Sequence, residues 1–135
     1  MFPLIKDIQG VQTLYRVGHA HGSDGLWYNK DALFTGQIHT LADGAAGLLP
    51  MGFHPVFSQG GKAWRSVTSR VEDIALWFSE KDMRELLQRG YQLEEYEVSA
   101  HRHLTFKEYA HEVFHEGVVL TKRILDPMLP YQLAG

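Results

Sequence analysis

Cysteine is absent from the 135 residues, which excludes a disulfide framework and any thiolate metal site and suits a reducing cytosol. Long hydrophobic runs are missing as well. No stretch approaches the roughly 18 apolar residues of a membrane-spanning helix, and the opening Met1-Phe2-Pro3-Leu4-Ile5-Lys6 leads into no apolar export segment. Charge of one sign is not in excess either: 13 Lys+Arg against 16 Asp+Glu leave a formal charge of -3. That balance is too little basic for a duplex binder and too weakly acidic for a nucleic-acid mimic. The expectation is a cytoplasmic protein of a bacterium, or of a virus infecting one, with neither membrane nor duplex nucleic acid among its partners.

What is present is globular. Hydrophobic residues make up 44% and charged residues 21% of the chain, so it has the apolar material to fold. Its length fits one domain over 1–135, with a core from 13 to 125 and terminal extensions at 1–12 and 126–135.

Thr13 to Val17 reads as a first strand, followed by a hairpin that carries Leu26, Trp27 and Tyr28 on one arm and Leu33 to Ile38 on the other. Leu41 to Gly61 is rich in glycine, holds Pro50 and Pro55 and has no sustained period. It reads as a long loop, a lid or an oligomer contact, or else one packed by its own Leu48, Leu49, Met51 and Phe53. Lys62 to Thr68 reads as a strand. Ser69 with Glu72 has the spacing of a capping box, opening a helix whose apolar face is Val71, Ile74, Ala75 and Phe78, and Ser79 with Asp82 repeats that spacing before a helix ending at Gly90. Tyr91 to Ser99 is a strand. Thr105 with Glu108 makes a third box, and Phe106, Tyr109, Ala110, Val113 and Phe114 recur at helical spacing up to Gly117. Val118 to Leu125 alternates and closes the domain as a strand. The fold class is therefore α+β, with an antiparallel or mixed sheet and about three helices packed on one face.

His111-Glu112-Val113-Phe114-His115 matches H-E-x-x-H, which on a helix sets two imidazoles one turn apart for zinc with Glu112 as general base. No third ligand follows at a familiar spacing, and the alternative is the polar face of a surface helix. His19-Ala20-His21 and His101-Arg102-His103 are H-x-H pairs that on strands would share a face. His21-Gly22-Ser23 and His103-Leu104-Thr105 offer the two H-x-S/T tripeptides of a two-histidine phosphoesterase, without the apolar residue expected after the first. No complete ligand set can be read, so metal-free and cofactor-free protein is expected.

Aromatic and basic residues form a further constellation: Arg16, Trp27, Tyr28, Trp64, Arg65, Ser66 and Thr68. Arginine forks suit phosphate, Trp or Tyr stacks on a base, and Ser and Thr hydroxyls complete an anion's hydrogen bonds. The alternative places the aromatic rings in the core and the arginines at its rim.

The skeleton Leu14-Tyr15-Arg16-Val17, Gly25-Leu26-Trp27-Tyr28, Trp64-Arg65-Ser66, Leu76-Trp77-Phe78, Gly90-Tyr91 and Tyr96-Glu97-Val98 resembles small, uncharacterised phage-encoded proteins. That resemblance implies an anti-defence protein that sequesters a small phosphorylated nucleotide signal without turnover, or binds a host defence protein, the seven residues above forming the ligand site. Self-association into a homo-oligomer is expected from the charge-poor segment between Ala32 and Gly61. A second likeness is to ADP-ribosyltransferases of the R-S-E type, in which an early strand Arg, a Ser-Thr-Ser strand and a late Glu hold and activate NAD. Arg16, Ser66-Val67-Thr68-Ser69 and Glu112 stand in that order, with Ala110 where many such enzymes carry Glu or Gln. A zinc hydrolase built on H-E-x-x-H is the third reading.

Overall fold

A 16-residue strand, β1 (Leu4–His19), and a 15-residue strand, β3 (Tyr91–Thr105), form one long antiparallel ribbon. The computed structural model describes residues 4–20, 64–105 and 110–134. The expected hairpin at 26–38 and the loop at 41–61, with Trp27, Tyr28 and the segment behind the expected self-association, lie outside them. The remaining elements are β2 (Arg65–Val67), a 3-10 turn (Val71–Asp73), α1 (Ile74–Trp77), α2 (Glu80–Gln88), β4 (Ala110–Phe114), a second 3-10 turn (Glu116–Val118), β5 (Val119–Ile124) and α3 (Leu129–Ala134). Among the described residues every strand pairing is antiparallel, so the α+β expectation holds, in its antiparallel form over those residues.

β3 is long enough to serve two partners along one edge. β5 pairs with Glu94 to Val98, and β4 with Arg102 to Thr105. The other edge belongs to β1, whose register shifts between Gln9 and Gln12 around Gly10, at φ 114°. An extra residue in a positive-φ conformation is what a β-bulge requires, and it bends the ribbon there. β2 pairs with β4 and then returns to β1: Tyr15 and Thr68 exchange both backbone hydrogen bonds, at 2.8 and 2.9 Å. The path β1-β3-β4-β2 thus closes on itself around Leu14, Val67, Tyr96, Val98 and Phe114.

All three helices pack together on the opposite face of the ribbon. Val17, Tyr91 and Leu93 meet Ile74, Phe78, Met83 and Leu86, with Trp77, Met128, Leu129 and Tyr131 around them. Each fully buried side chain of this size contributes about 1.5 to 3 kcal/mol through removal from water. The Tyr131 hydroxyl lies 2.9 Å from the Phe78 carbonyl and 3.1 Å from that of Ser79, which ties α3 to the joint between α1 and α2. Among the described residues no helix is long and apolar enough to cross a membrane.

Local chemistry sets the helix ends. The Ser79 hydroxyl accepts the Asp82 N–H at 3.1 Å and the Asp82 carboxylate accepts the Ser79 N–H at 3.3 Å, the capping box expected there. Gly90 follows α2 at φ 90°, and a Cβ there would stand 2.9 Å from the His19 ring.

Three expectations are corrected. The helix expected from Thr105 to Gly117 is not formed, because Ala110 to Phe114 is the strand β4. Ser69 and Glu72 make no capping box: Arg70 precedes the 3-10 turn without a side-chain cap, and the Ser69 N–H goes elsewhere. The tail after the last strand carries helix α3, with Pro130 in its first turn, where a missing N–H is tolerated. The strands expected near 62–68, 91–99 and 118–125 and the helix before Gly90 are present, each with shifted ends.

Candidate functional site

Sheet closure brings three separate sequence segments side by side. Arg16 lies on β1, Thr68 of the next segment bridges Tyr15, and Glu112 on β4 stands opposite Val67 of β2. Glu112 is, with Asp73, one of two carboxylates that line a single cavity. Its Oε2 accepts the backbone N–H of Ser69 at 3.1 Å, and its Oε1 lies 3.4 Å from Nε2 of His101. The side chain keeps 21% exposure. It lines a cavity of about 280 Å³ with Thr68, Ser69, Trp77, His103 and His111. A carboxylate held by a donor on one oxygen and facing an open cleft is equipped to bind a hydroxyl, or to stabilise a cation that develops in front of it.

His111 is the buried member of this wall. Its ring lies 5.4 Å from Trp77, burial drives its pKa down to about 3 with a lesser push from His103, and its Nε2 has no hydrogen-bond partner among the described residues. It is neutral at physiological pH. His115 is not its chelating mate: four residues of extended chain span roughly 13 Å, and His115 Nδ1 instead accepts the Gly117 N–H at 3.1 Å. The one-turn spacing that H-E-x-x-H needs is therefore absent. Among the described residues no cluster of metal-ligating side chains is assembled.

The two arginines read as phosphate ligands both face carboxylates. Arg16 is 3% exposed and stands directly opposite Glu94 on β3, which is 1% exposed. Burial would raise the Glu94 carboxyl, but the Arg16 charge and hydrogen bonds from Gln92, Lys122 and Tyr96 outweigh it and hold the group below its ordinary range. The Tyr96 hydroxyl donates to Glu94 at 2.8 Å and Lys122 pairs with it at 2.9 Å. Arg65, also buried, has its Nε 3.0 Å from Glu116.

The other members of the expected ligand site are dispersed. Trp64 is buried under Arg102, whose Cζ lies 4.2 Å from the ring centroid, with His115 edge-on at 4.9 Å. It lines a second, larger cavity of about 390 Å³ with Asp7, His101, Arg102 and His115. Ser66 is half-buried opposite Val113. The Thr68 hydroxyl accepts the Arg70 N–H at 3.2 Å, and Thr68 faces the Glu112 cavity. Of the H-x-H residues, His19 packs edge-on against Tyr91, His101 approaches Glu112, and His103 lines the smaller cavity.

Sequence reasoning missed the Arg16–Glu94 pair and the contact of His101 with Glu112. Both span strands that are far apart in the chain, and only the position of Glu94 two residues from Tyr96 in a strand-like run hinted at a buried carboxylate. No protein-family profile, curated protein or solved structure matches the chain.

Proposed function

We propose that the protein is an NAD-using transferase of the R-S-E kind, with Glu112 as the residue that acts on the ribose. One observation carries the reading. Glu112 lies on a strand, beside the segment Ser66-Val67-Thr68-Ser69, and its carboxylate accepts the Ser69 N–H at 3.1 Å. On a helix, as its spacing implied, it could not share a ladder with that segment. In the reaction the bond between ribose C1′ and the nicotinamide nitrogen breaks, and the electron pair leaves with neutral nicotinamide. The Glu112 carboxylate stabilises the positive charge left on the ribose. A nucleophile of the acceptor then bonds to C1′ and gives up its proton to solvent.

Arg16 departs from the resemblance. Its guanidinium faces Glu94 inside the sheet, so it sets the frame of β1 beside β3 and is not assigned to phosphate. Ala110, exposed at the same cavity, supplies no second carboxylate two residues before Glu112. Activation of a guanidinium acceptor is therefore not part of this reading.

Chromatography of NAD incubated with the protein tests it. Wild type is expected to release nicotinamide, and Glu112→Gln to lose that release by at least about 100-fold, the scale of removing one transition-state contact of this type. Wild type that releases none overturns the proposal. The phage-type nucleotide sponge keeps one observation in its favour, the larger cavity with Trp64 and Arg102 in its wall. A nucleotide that co-purifies and is recovered chemically unchanged, with no nicotinamide formed, would favour it instead.

A further inference from the structure

The H-x-H pair on β3 divides its duties. His103 lines the cavity in front of Glu112, whereas the His101 side chain is only 5% exposed and directs Nε2 to Oε1 of Glu112 at 3.4 Å. We propose that His101 is a positioning residue for Glu112, holding its carboxylate plane by a second donor opposite the Ser69 N–H; this rests on the transferase reading above.

A carboxylate bound through one oxygen still turns about its last carbon–carbon bond. The Ser69 N–H holds Oε2 at 3.1 Å, and His101 Nε2, 3.4 Å from Oε1, is placed to restrain the other oxygen and so the carboxylate plane. The tautomer follows from the other ring nitrogen. His101 Nδ1 is buried and has no hydrogen-bond partner among the described residues. A proton placed there would be a buried donor without an acceptor, which costs more than a bare lone pair. Of the two ring nitrogens, Nε2 is the one whose proton would meet an acceptor, Glu112 Oε1. At 3.4 Å the contact is long for a hydrogen bond. Such contacts in ligand-free sites shorten when substrate binds.

The same arrangement joins the two cavities. His101 belongs to the wall of the larger one and Glu112 to the wall of the smaller. The imidazole is the link between them.

Two substitutions separate positioning from packing. His101→Phe keeps the ring volume and removes the donor, whereas His101→Gln places an amide N–H close to the Nε2 position. With NAD as substrate, His101→Phe is expected to lose about tenfold or more in kcat at unchanged KM, the effect of one lost charge-assisted hydrogen bond. His101→Gln is expected to recover most of it. A role in packing alone predicts the reverse order, with the Phe variant active and the Gln variant impaired, and that result would overturn the proposal. Nitrogen NMR of the wild-type imidazole supplies a readout without turnover, needed should His101→Phe not fold. A proton on Nε2 supports the positioning role, and a proton on Nδ1 rules it out. Wild type that releases no nicotinamide sinks the transferase reading and the positioning role with it. Release that survives intact in His101→Phe overturns the positioning role alone.

Discussion

Glu94 and Glu112 lie on neighbouring strands of one sheet, and the fold treats them in opposite ways. Glu94 is 1% exposed and surrounded by Arg16, Gln92, Tyr96 and Lys122, all of which favour its charged form. Among the described residues Glu112 meets the Ser69 N–H and His101, and it keeps one side open to a cavity. The closed set of partners leaves Glu94 nothing to offer a ligand, so its contribution is to the frame. The open set leaves Glu112 a face on which chemistry can occur. Partner completeness, more than residue type or burial alone, separates the two carboxylates of this sheet.

The largest effect is expected from breaking the closed side. Glu94→Ala leaves the Arg16 guanidinium buried and uncompensated, at a cost of about 3 to 5 kcal/mol in urea unfolding. Removing both charges, as Arg16→Met with Glu94→Leu, should return much of that loss. A single Glu94→Ala within about 1 kcal/mol of wild type would mean that the pair does not hold the frame.

The open side should respond in the opposite sense. Glu112→Gln is expected to unfold within about 1 kcal/mol of wild type, because the partly exposed carboxylate has no buried cation to strand. Loss of nicotinamide release without loss of stability would sharpen the contrast. A Glu112→Gln variant as unstable as Glu94→Ala would erase it.

A pH titration probes the buried wall of the Glu112 cavity. The folded chain keeps His111 neutral down to about pH 3, whereas the unfolded chain takes up that proton near the ordinary value of 6.5. Stability from this group is thus complete above 6.5 and is lost as pH falls toward 3. About 2 kcal/mol should disappear between about pH 6.5 and pH 5, at roughly 1.4 kcal/mol per unit, before carboxylates titrate. Denaturant unfolding of wild type against His111→Phe checks this, since the variant should lack the slope. The smallest effect belongs to a site remote from both carboxylates: Ser79→Ala removes the α2 cap and should cost about 1 kcal/mol in thermal unfolding, with nicotinamide release unchanged.

Features written in short range were legible in the sequence. The Ser79–Asp82 box, the glycine after α2 and the β-branched run that forms β5 depend on residues a few positions apart, and each is found, although β5 is exposed along nearly its whole length. The segment before Phe114 was misread for a definable reason. β4 lies between β3 and β2 and is covered on both sides, so Val113 and Phe114 are adjacent and both buried. A strand buried on both faces loses the period of two, and its apolar residues then fit a helical spacing equally well. The Ser69–Glu72 spacing failed because the Ser69 N–H, the group such a box would satisfy, is taken by a carboxylate 43 residues away.

The sequence by itself determined the antiparallel-capable α+β composition, the capped helix α2 and the order Arg16, Ser66 to Ser69, Glu112 along the chain. Only the tertiary structure decided what that order means. The β1–β3 ladder paired Arg16 with Glu94, closure of the sheet through Tyr15 and Thr68 set the three segments side by side, and Glu112 came to face a cleft with His101 behind it. The reason is physical: local propensity acts over a few residues, whereas the partner that satisfies a buried charge is chosen by strand pairing across the whole chain.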